Sequence, residues 1–564
     1  MHIALGIDTG GTYTDAVLVD QTDGTVIAKA KALTTHHDLA LGIGEAMTRV
    51  FQPEARVRDR GTDPRTGTPL TPTKVEMVGL STTLATNAIV EGQGSPIALL
   101  LIGYDSEMIR QHDFERDLVT DDVVYVAGGH TIRGEEQAPL DDAALRQAIE
   151  TRKDRIAAFA ISGYFSVRNP EHELRAKHMV ETLTAQDGGA PLPVTCGHEL
   201  TTKLNAIRRA TTVALNAKLI PMLYDLIETV QHQLVQAGIT APLMIVKGDG
   251  SLVRADWAIR RPIETILSGP AASVVGAWHV AGREDVWVVD VGGTTTDIAI
   301  LSRGQPRLNP RGAQVGGWRT MVEAADVHTV GLGGDSYVRF SDNGDLSLTR
   351  RGSQHLAIGP QRVRPLSRLA TDHPDIVAAL HRQRSIDKRI LLPFLGEFAM
   401  LRRDVQAPVS ATDRALLDRL QTGPVALVDL AQEEPYRTFL EERIRRLVAQ
   451  QRILRAGFTP TDALHVLRIF GPWDTDAAEA GADMLARQWR CSREEFARQV
   501  VTEMSNRVAT ALVTKVLHDE VAPPAWAEQP VAAGLLARAL NAVDRTDLAC
   551  TLSLRLPVVA VGAP

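Results

Sequence analysis

The sequence predicts an α/β protein in which one phosphate-binding unit occurs twice. Apolar strands alternate with helices along the first half of the chain, a pattern typical of a largely parallel sheet. GIDTGGTYTD at residues 6–15 shares the pattern D-x-G-G-T-x-T-D with VVDVGGTTTD at residues 288–297. Each copy follows an apolar strand and precedes an apolar run, so a duplication explains them better than two unrelated glycine turns.

Length and composition indicate a multidomain protein without a cysteine-based metal site. The chain has 564 residues, a net charge of −7 and three cysteines with no C-x-x-C pair. At least two domains are expected, because one hydrophobic core rarely serves so long a chain. The acidic balance argues against nucleic-acid binding, and the scattered cysteines argue against a zinc ribbon, an iron–sulfur cluster or a disulfide framework. No signal-peptide pattern and no apolar run of ~18 residues is found, which predicts a cytoplasmic protein without a membrane span.

Two regions after residue 200 have distinct patterns. The spacing of apolar residues over 203–237 predicts one long helix, with a break expected near Pro221. Residues 395–470 predict two short helices around a Gly-Pro turn, then a basic helix and a strand, which is a winged-helix-like order. Arg443, Arg445 and Arg446 lie on the basic helix next to acidic residues, so protein docking is favoured over DNA binding.

The repeated pattern predicts a site for phosphate groups and a cation. A Gly-Gly pair after a strand permits a tight turn whose amide groups can surround phosphate oxygens, and the threonine adds a hydroxyl donor. The residues expected to contact the nucleotide phosphates are Gly10, Gly11, Thr12, Gly292, Gly293, Thr294, Gly333 and Gly334. Asp8 and Asp290 are expected to hold Mg²⁺ or to orient a nucleophile. Asp15 and Asp297 close the two hairpins and are expected to help bind the cofactor, with an ordinary Asx hydrogen bond as an equal alternative.

Two further groups of polar residues are candidates for substrate or metal binding. Asp326 and His328 are two positions apart on an expected strand, so both side chains would share one face and could ligate a second divalent metal or contact substrate. His328 is also a candidate catalytic residue, with an ordinary hydrogen-bonded histidine as the alternative. Thr82, Thr83 and Asn87 follow a strand and could hold a polar substrate, with a helix N-cap as the alternative. The histidines without a well-spaced acidic or cysteine partner are not expected to be metal ligands: His36, His37, His172 and His198.

Several stretches beyond the repeat resemble the hydantoinase A/5-oxoprolinase family, which includes ATP-dependent subunits of acetone and acetophenone carboxylases. The repeat itself resembles the phosphate-1 and phosphate-2 loops of the actin/sugar kinase/Hsp70 superfamily. The further stretches are GLSTTLATNAIVEGQG, ISGYFSVRNPEHE, RPIETILSGPAASVVGA, DVHTVGLGGDS and GFTPTDALHVL. The fourth departs from the family pattern, because Asp335 stands where the family has glycine. LPVVAVGAP resembles the start of an adenosine loop, and an incomplete binding site for base and ribose is expected there.

The resemblance implies two actin-like (ribonuclease H-like) ATPase domains with a small winged-helix-like insert. The expected division is an N-terminal domain with the phosphate-1 loop, a second domain with the phosphate-2 loop, the insert, and a helical remainder of the second domain that ends at the partial adenosine loop. The corresponding residues are 1–200, 201–394, 395–470 and 471–564. The two phosphate loops are expected to bind one ATP together.

The resemblance also implies an activity. In this family ATP phosphorylates the carbonyl oxygen of an amide or imide, which water can then open, and a separate B-type subunit completes the enzyme. The expected function is therefore ATP- and Mg²⁺-dependent opening of a cyclic amide or imide of the hydantoin, 5-oxoproline or lactam type. The alternatives are an ATP-dependent ketone carboxylase subunit, a small-molecule kinase and a non-catalytic actin-like regulatory protein.

Overall fold

The computed structural model is an α/β protein with several sheets. It describes residues 2–10, 13–35, 39–55, 57, 71–185, 189–341, 350–351, 354–386, 394–402, 411–433, 437–520, 530–540 and 550–562. Gly11 and Thr12, two of the expected phosphate contacts, lie outside the described residues, as do His36 and His37.

The strands are numbered in chain order. They are β1 Ile3–Thr9, β2 Tyr13–Asp20, β3 Thr25–Leu33, β4 Val75–Thr82, β5 Ile97–Ile102, β6 Val123–Val126, β7 Ala158–Gly163, β8 Val194–Cys196, β9 Leu243–Val246, β10 Leu252–Arg254, β11 Val286–Val291, β12 Thr296–Ser302, β13 Gln305–Pro306, β14 Gln314–Val315, β15 Trp318–Arg319, β16 His328–Val330, β17 Ser336–Ser341, β18 Arg350–Arg351, β19 Gln354–Arg362, β20 Arg364–Pro365, β21 Phe398–Leu401, β22 Val425–Ala426, β23 Ile453–Gly457 and β24 Val558–Gly562.

The α-helices are numbered in the same way. They are α1 Leu39–Val50, α2 Leu84–Val90, α3 Ser106–Gln111, α4 Asp142–Glu150, α5 Glu171–Thr184, α6 Gly197–Leu200, α7 Ala206–Gln236, α8 Ala255–Arg260, α9 Ser268–Ala281, α10 Leu366–Asp372, α11 Asp375–Gln383, α12 Ala411–Leu420, α13 Leu427–Glu433, α14 Arg437–Ala449, α15 Pro460–Val466, α16 Thr475–Trp489, α17 Arg493–Glu520 and α18 Pro530–Leu540.

The chain forms two compact units. The first contains Met1–Val286 and Ala299–Val327, and the second contains Trp287–Ile298 and His328–Pro564. Residues 201–286 lie in the first unit, where α7 packs against β7. The four-part division with its insert stays a prediction.

Two larger sheets and the two-stranded sheet β14-β15 lie in the described part of the first unit. One has the strand order β10-β9-β4-β1-β2-β3, with β1 parallel to β4 and antiparallel to β2. The other has the order β6-β5-β7-β8 with all neighbours parallel. Every residue of β5 and β7 is buried, because helices cover both faces of this sheet. The expected parallel sheet is therefore present in this unit, beside a second sheet of mixed direction.

The long helix α7 runs without interruption through Pro221. The expected break near this proline was therefore wrong. Proline lacks the N–H that would bond to the carbonyl four residues earlier and disfavours a helix interior by about 3 kcal/mol. Sixteen buried side chains lie along α7, on both sides of the proline, and their packing offsets that cost.

The second unit places β11 parallel to β24 and β16 antiparallel to β12. Further strands form two small sheets, β17-β19-β18 and β20-β23-β21-β22. One hydrophobic core links the helices α10 to α17 with these sheets. The C-terminal strand β24 therefore continues the sheet that carries the second D-x-G-G-T pattern.

Residues 395–470 contain the expected helices and the expected strand, as α12, α13, α14 and β23. The basic residues of α14 take part in ion pairs: Arg443 and Arg446 contact Asp413 at 3.1 and 2.9 Å. Arg445 lies 3.8 Å from Glu441. The winged-helix assignment and the low expectation of DNA binding both stay predictions.

A buried ionic cluster fixes β23 against β21. Arg455 donates to Glu397 at 2.8 Å and to Glu441 at 2.9 Å, and the hydroxyl of Tyr337 also donates to Glu397. The side chains of Arg455 and Glu397 are 11% and 7% exposed. Burial raises the pKa of the Glu397 carboxyl, and Arg455 opposes this rise. A carboxylate so buried depends on its arginine partner.

Arg455→Met should lower the free energy of unfolding of the second unit by about 3–5 kcal/mol, because it leaves Glu397 buried without a cation. Urea denaturation followed by circular dichroism measures this effect. Arg445→Met is the matched control, since Arg445 is mostly exposed, and it should change stability by less than about 0.5 kcal/mol. Equal stability of the two variants would contradict the proposed dependence on Arg455.

Candidate functional site

The two D-x-G-G-T segments form the same kind of turn. In the first unit the amide of Gly10 donates to the carbonyl of Tyr13 at 3.0 Å. In the second unit the amide of Gly292 donates to the carbonyl of Thr295 at 2.8 Å. In both turns a Cβ on the first glycine would lie little more than 3 Å from that carbonyl, at 3.2 and 3.3 Å. The repeat in sequence is therefore a repeat in local structure.

A parallel strand lies beside the aspartate-bearing strand in each unit. β4 pairs with β1 so that Asp8 is opposite Ser81 and Thr9 is opposite Thr82. β24 pairs with β11 so that Asp290 is opposite Val561. The carboxyl ends of parallel strands meet at one sheet edge, which is where α/β proteins commonly bind ligands.

In the first unit the expected substrate residues lie beside the turn strand. The amide and the hydroxyl of Thr83 donate to the carbonyl of Thr9 at 3.1 and 3.2 Å. The amide group of Asn87 donates to the hydroxyl of Thr83 at 3.1 Å. The hydroxyl of Thr82 accepts from the amide of Leu84, so Thr82 also stabilises the start of α2. Both the site role and the helix-cap role are compatible with this position.

Sequence reasoning missed two hydroxyls at the same edge. Thr9 and Ser81 are 1% and 3% exposed, and neither side-chain oxygen has a hydrogen-bond partner within the part of the chain that the structure describes. Buried polar groups are nearly always paired in folded proteins. Their positions in the sequence could have indicated them, because Thr9 lies between Asp8 and Gly10 and Ser81 precedes Thr82. The two hydroxyls are therefore candidate ligand contacts.

Helix α9 begins at this edge and carries the SGPAAS segment. The hydroxyl of Ser268 donates to the carbonyl of Thr82 at 3.0 Å, and the amide of Leu267 donates to Thr86 at 3.1 Å. The backbone amides at a helix start are unpaired within the helix and favour anions. The first turn of this helix thus adds donors beside Thr82 and Thr83.

Asp15 forms an ion pair with a lysine of the neighbouring strand. It lies opposite Asp8 in the β1–β2 ladder and opposite Lys31 in the β2–β3 ladder. Lys31 is 3.3 Å from its carboxylate, and both side chains are about half exposed. This pair neutralises one of two facing carboxylates. The cofactor role of Asp15 stays a prediction.

In the second unit the Gly292–Gly293 turn packs directly on Gly333–Gly334. The amide of Gly334 donates to the carbonyl of Gly292 at 3.0 Å, and the amide of Asp335 donates to that of Gly293 at 2.7 Å. A Cβ on Gly333 would lie only 2.6 Å from both of these carbonyl oxygens. The selected glycines of the two motifs are therefore brought together, and close backbone contact requires glycine at position 333.

The TPTDA segment holds this loop from the other side. The amide and the hydroxyl of Thr461 donate to the carbonyl of Gly334 at 3.0 and 2.8 Å. Thr459 and Asp462 form a capping box at the start of α15. The fully buried Asp462 also accepts from the amide and the hydroxyl of Ser367 at 2.9 and 2.6 Å. Thr461 is thus a positioning residue that sequence spacing did not reveal.

Three carboxylates belong to this part of the second unit. Burial, together with the charge of Asp290, raises the pKa of Asp297 to about 6. Thr329 donates to Asp297 at 2.5 Å and opposes the rise. Burial also raises the pKa of Asp335 to about 6. The shifts indicate groups whose negative charge is poorly compensated by the protein.

The C-terminal strand adds a glycine contact to Asp290. Gly562 has a φ of 106°, and a Cβ there would lie 2.7 Å from the Oδ1 atom of Asp290. Any other residue would displace this carboxylate. The strand of the expected adenosine loop is present as β24, while its role toward a nucleotide stays a prediction.

The residues of the second turn fit a phosphate group with its cation. The amides of Gly293 and Thr294 donate no hydrogen bond among the residues that can be described, so they are available to oxygen ligands. Asp290, Asp297 and Asp335 supply the hard oxygen ligands that Mg²⁺ prefers. Available amides next to several carboxylates suit an anion together with a divalent cation.

The expected pair of Asp326 and His328 is not arranged as the spacing suggested. β16 begins at His328, so Asp326 precedes the strand. The carboxylate of Asp326 accepts from Arg307 at 3.1 Å and from Asn309 at 3.2 Å. Both carboxylate oxygens of Asp326 therefore already accept a hydrogen bond, and a metal would have to share them. The second metal stays a prediction.

A buried cluster joins Glu173, Cys196 and His198, although His198 was set aside for lack of such partners. The carboxylate of Glu173 accepts from Gly163 at 2.6 Å and from the ring and the amide of His198 at 2.5 and 2.9 Å. Burial raises the pKa of the Cys196 thiol well above its usual value. A protonated thiol and a carboxylate with three donors form a structural hydrogen-bond cluster rather than an open metal site.

The chain matches two profiles of one protein family. Residues 4–184 match the hydantoinase/oxoprolinase N-terminal region, and residues 209–523 match hydantoinase/oxoprolinase. Within the described residues, no helix is long and apolar enough to cross a membrane.

Curated relatives and solved structures agree with these profiles. Caprolactamase subunit alpha of Pseudomonas jessenii is 30% identical over 62% of this chain and 50% of its own length. The acetophenone carboxylase gamma subunit of Aromatoleum aromaticum is 26% identical over 64% of this chain and 49% of its own length. The chain thus spans about half the length of these curated relatives.

The fold is similar to two solved structures. Nucleotide-free acetone carboxylase has a TM-score of 0.56 at 16% identity, covering 92% of this chain and 63% of that chain. The ATP-dependent caprolactamase from Pseudomonas jessenii has a TM-score of 0.55 at 23% identity, covering 90% of this chain and 62% of that chain. At these identities the similarity concerns the fold alone.

Gly333→Ala should weaken Mg-ATP binding by at least about tenfold, because the added Cβ displaces the Gly292–Gly293 turn. Isothermal titration calorimetry measures the affinity. Gly331→Ala is the matched control in the same loop, since its Cβ would meet Pro360 at an ordinary 3.5 Å. If both variants bind Mg-ATP like the wild type, the turn is not a phosphate site.

Glu173→Gln should lower the free energy of unfolding of the first unit by about 2–4 kcal/mol, because the new amide faces N–H donors. It should also speed the reaction of Cys196 with a thiol reagent, measured by mass spectrometry. The reason is that the thiol of Cys196 donates a hydrogen bond to the backbone carbonyl of Glu173, with 3.7 Å between Sγ and the oxygen. The exposed neighbour Glu171→Gln should leave both quantities unchanged. Zinc release on denaturation of the wild type would instead indicate a metal centre.

Proposed function

The chain belongs to the hydantoinase/oxoprolinase family, and we propose that it is the ATP-dependent subunit of an enzyme that opens a cyclic amide or imide. The observation that carries this proposal is the turn at residues 292–295 with its available amides and adjoining carboxylates. The relatives named for ATP-dependent lactam opening support it at the level of the family.

The residues of the second unit would hold the phosphates and the cation. The amides of Gly293 and Thr294 would donate to phosphate oxygens. Asp290 and Asp297 would hold Mg²⁺ or orient the attacking oxygen. When bound, Mg-ATP would supply an electrophilic γ-phosphoryl group and charge neutralisation, which activates a carbonyl oxygen.

The residues of the first unit would bind phosphate and substrate. Asp8 would hold or orient a ligand at the end of β1, and Gly10 would let the backbone approach it closely. The side chains of Thr83 and Asn87, with the unpartnered hydroxyls of Thr9 and Ser81, would hold polar atoms of a small substrate. Uncharged donors and acceptors of this kind suit an amide or imide group.

We further propose that the two units are duplicated actin-like ATPase domains and that residues 395–470 are a winged-helix-like insert. The equal turns at Gly10 and Gly292, each with a parallel strand beside the aspartate strand, support the duplication. A separate B-type subunit would complete the enzyme in a hetero-oligomer, since relatives are named as alpha, beta and gamma subunits.

The first test is calorimetric titration of the full chain with Mg-ATP. Asp8→Ala and Asp290→Ala should each weaken binding by at least about tenfold, because each removes a carboxylate that would hold or orient the ligands. Asp225→Ala, exposed on α7, and Asp483→Ala, on α16, are controls that should bind normally. Normal binding by both site variants would contradict the assignment of the two loops.

The second test separates the possible activities of the chain together with its co-expressed B-type subunit. Lactams, hydantoins, 5-oxoproline and ketones are supplied with Mg-ATP, and ADP release and products are measured with and without bicarbonate. Ring-opened product without bicarbonate supports the proposal. A bicarbonate-dependent product indicates a carboxylase, a stable phosphorylated product indicates a kinase, and ADP release with no substrate dependence indicates a regulatory protein.

A further inference from the structure

We propose that Asp335 makes nucleotide binding at the second turn depend on a bridging divalent cation. The inference rests on the proposed function and extends it by one residue, because it assigns a role in cation dependence to a carboxylate next to the turn. Three features support this role: the position of Asp335 beside the turn, the absence of a hydrogen bond or ion pair to its carboxylate among the described residues, and the negative charge of a polyphosphate.

The backbone fixes Asp335 beside the turn. Its amide donates to the carbonyl of Gly293 at 2.7 Å, and its own carbonyl accepts from the amide of Val363 at 2.9 Å. A Cβ on Gly293 would lie 3.5 Å from the Oδ2 atom of Asp335, so the carboxylate lies on the side of this glycine where a side chain would be. The amides that would meet phosphate oxygens belong to Gly293 itself and to Thr294.

The carboxylate of Asp335 has no close partner. Among the residues that the structure describes, its side-chain oxygens accept no hydrogen bond and join no ion pair. Arg362, Arg364 and Arg368 lower its pKa through their charges, but burial and the charge of Asp462 keep that pKa raised to about 6. Arg364 also forms an ion pair with Asp372, and Arg368 lies over the ring of Trp473 at 5.7 Å. The protein therefore compensates the negative charge of Asp335 only in part.

A polyphosphate at the turn would meet this charge at short range. Two negative groups a few ångströms apart near a protein surface repel each other by more than the free energy of a tenfold change in affinity. A divalent cation between them reverses the sign of the interaction, because carboxylate and phosphate oxygens both coordinate Mg²⁺. Asp335 should thus disfavour metal-free ATP and favour the magnesium complex.

The test measures the dissociation constant of a non-hydrolysable ATP analogue for the full chain, in excess Mg²⁺ and in EDTA. The quantity compared is the ratio of the EDTA value to the Mg²⁺ value. Asp335→Asn should lower this ratio by at least about tenfold, because it removes the charge and keeps the shape. Asp335→Gly should also lower this ratio, and it replaces the asparagine variant in the test if that variant does not fold.

Asp483→Asn is the matched control, because it removes one carboxylate from the same unit at an ion pair with Arg384. It should leave the ratio within about twofold of wild type, since the charge lies outside the turn. An unchanged ratio in both Asp335 variants, or an equal weakening with and without Mg²⁺, overturns the proposal and leaves the proposed function intact. A wild-type chain that binds the analogue under neither condition overturns both.

Discussion

The backbone contact between Gly292–Gly293 and Gly333–Gly334 is the constraint on which the site of the second unit depends. The carbonyl oxygens of the first pair accept the amides of Gly334 and Asp335, at distances that leave no room for a Cβ on Gly333. Because those carbonyls are satisfied by the neighbouring loop, the turn keeps its shape without using the amides of Gly293 and Thr294. The same contact that forms the turn therefore leaves its donors available.

The loop at residues 333–334 is itself held by groups distant in sequence. Thr461 bonds to Gly334, and the buried carboxylate of Asp462 joins the start of α15 to the start of α10 through Ser367. A buried carboxylate without partners would be costly, but Asp462 has several donors. These hydrogen bonds fix the position of α15, because the helix cannot shift without breaking them. They therefore also fix Thr461, which lies on α15.

Features that depend on neighbouring residues could be predicted from sequence, and those that depend on distant contacts could not. The hairpin turns at Gly10 and Gly292 follow from a strand, two glycines and a second strand. The contact of Thr461 with Gly334 joins residues 127 positions apart, and no local spacing encodes it. Pro221 was expected to end a helix by a local rule, which the buried contacts along α7 outweigh. Asp326 was expected on one strand with His328, but that strand begins at His328, so its length could not be predicted from the spacing alone.

The two copies of the turn are alike in backbone and different in charge. Beside the first, β4 contributes the hydroxyls of Ser81 and Thr82, and Lys31 neutralises Asp15. Beside the second, Asp297 and Asp335 retain poorly compensated charge. An edge with a carboxylate among hydroxyls can bind uncharged polar groups as well as phosphate oxygens, whereas an edge with several carboxylates binds phosphate only together with a cation. Duplication followed by divergence of the flanking side chains would thus make the second edge depend more strongly on a cation than the first, where Asp8 is accompanied by hydroxyls.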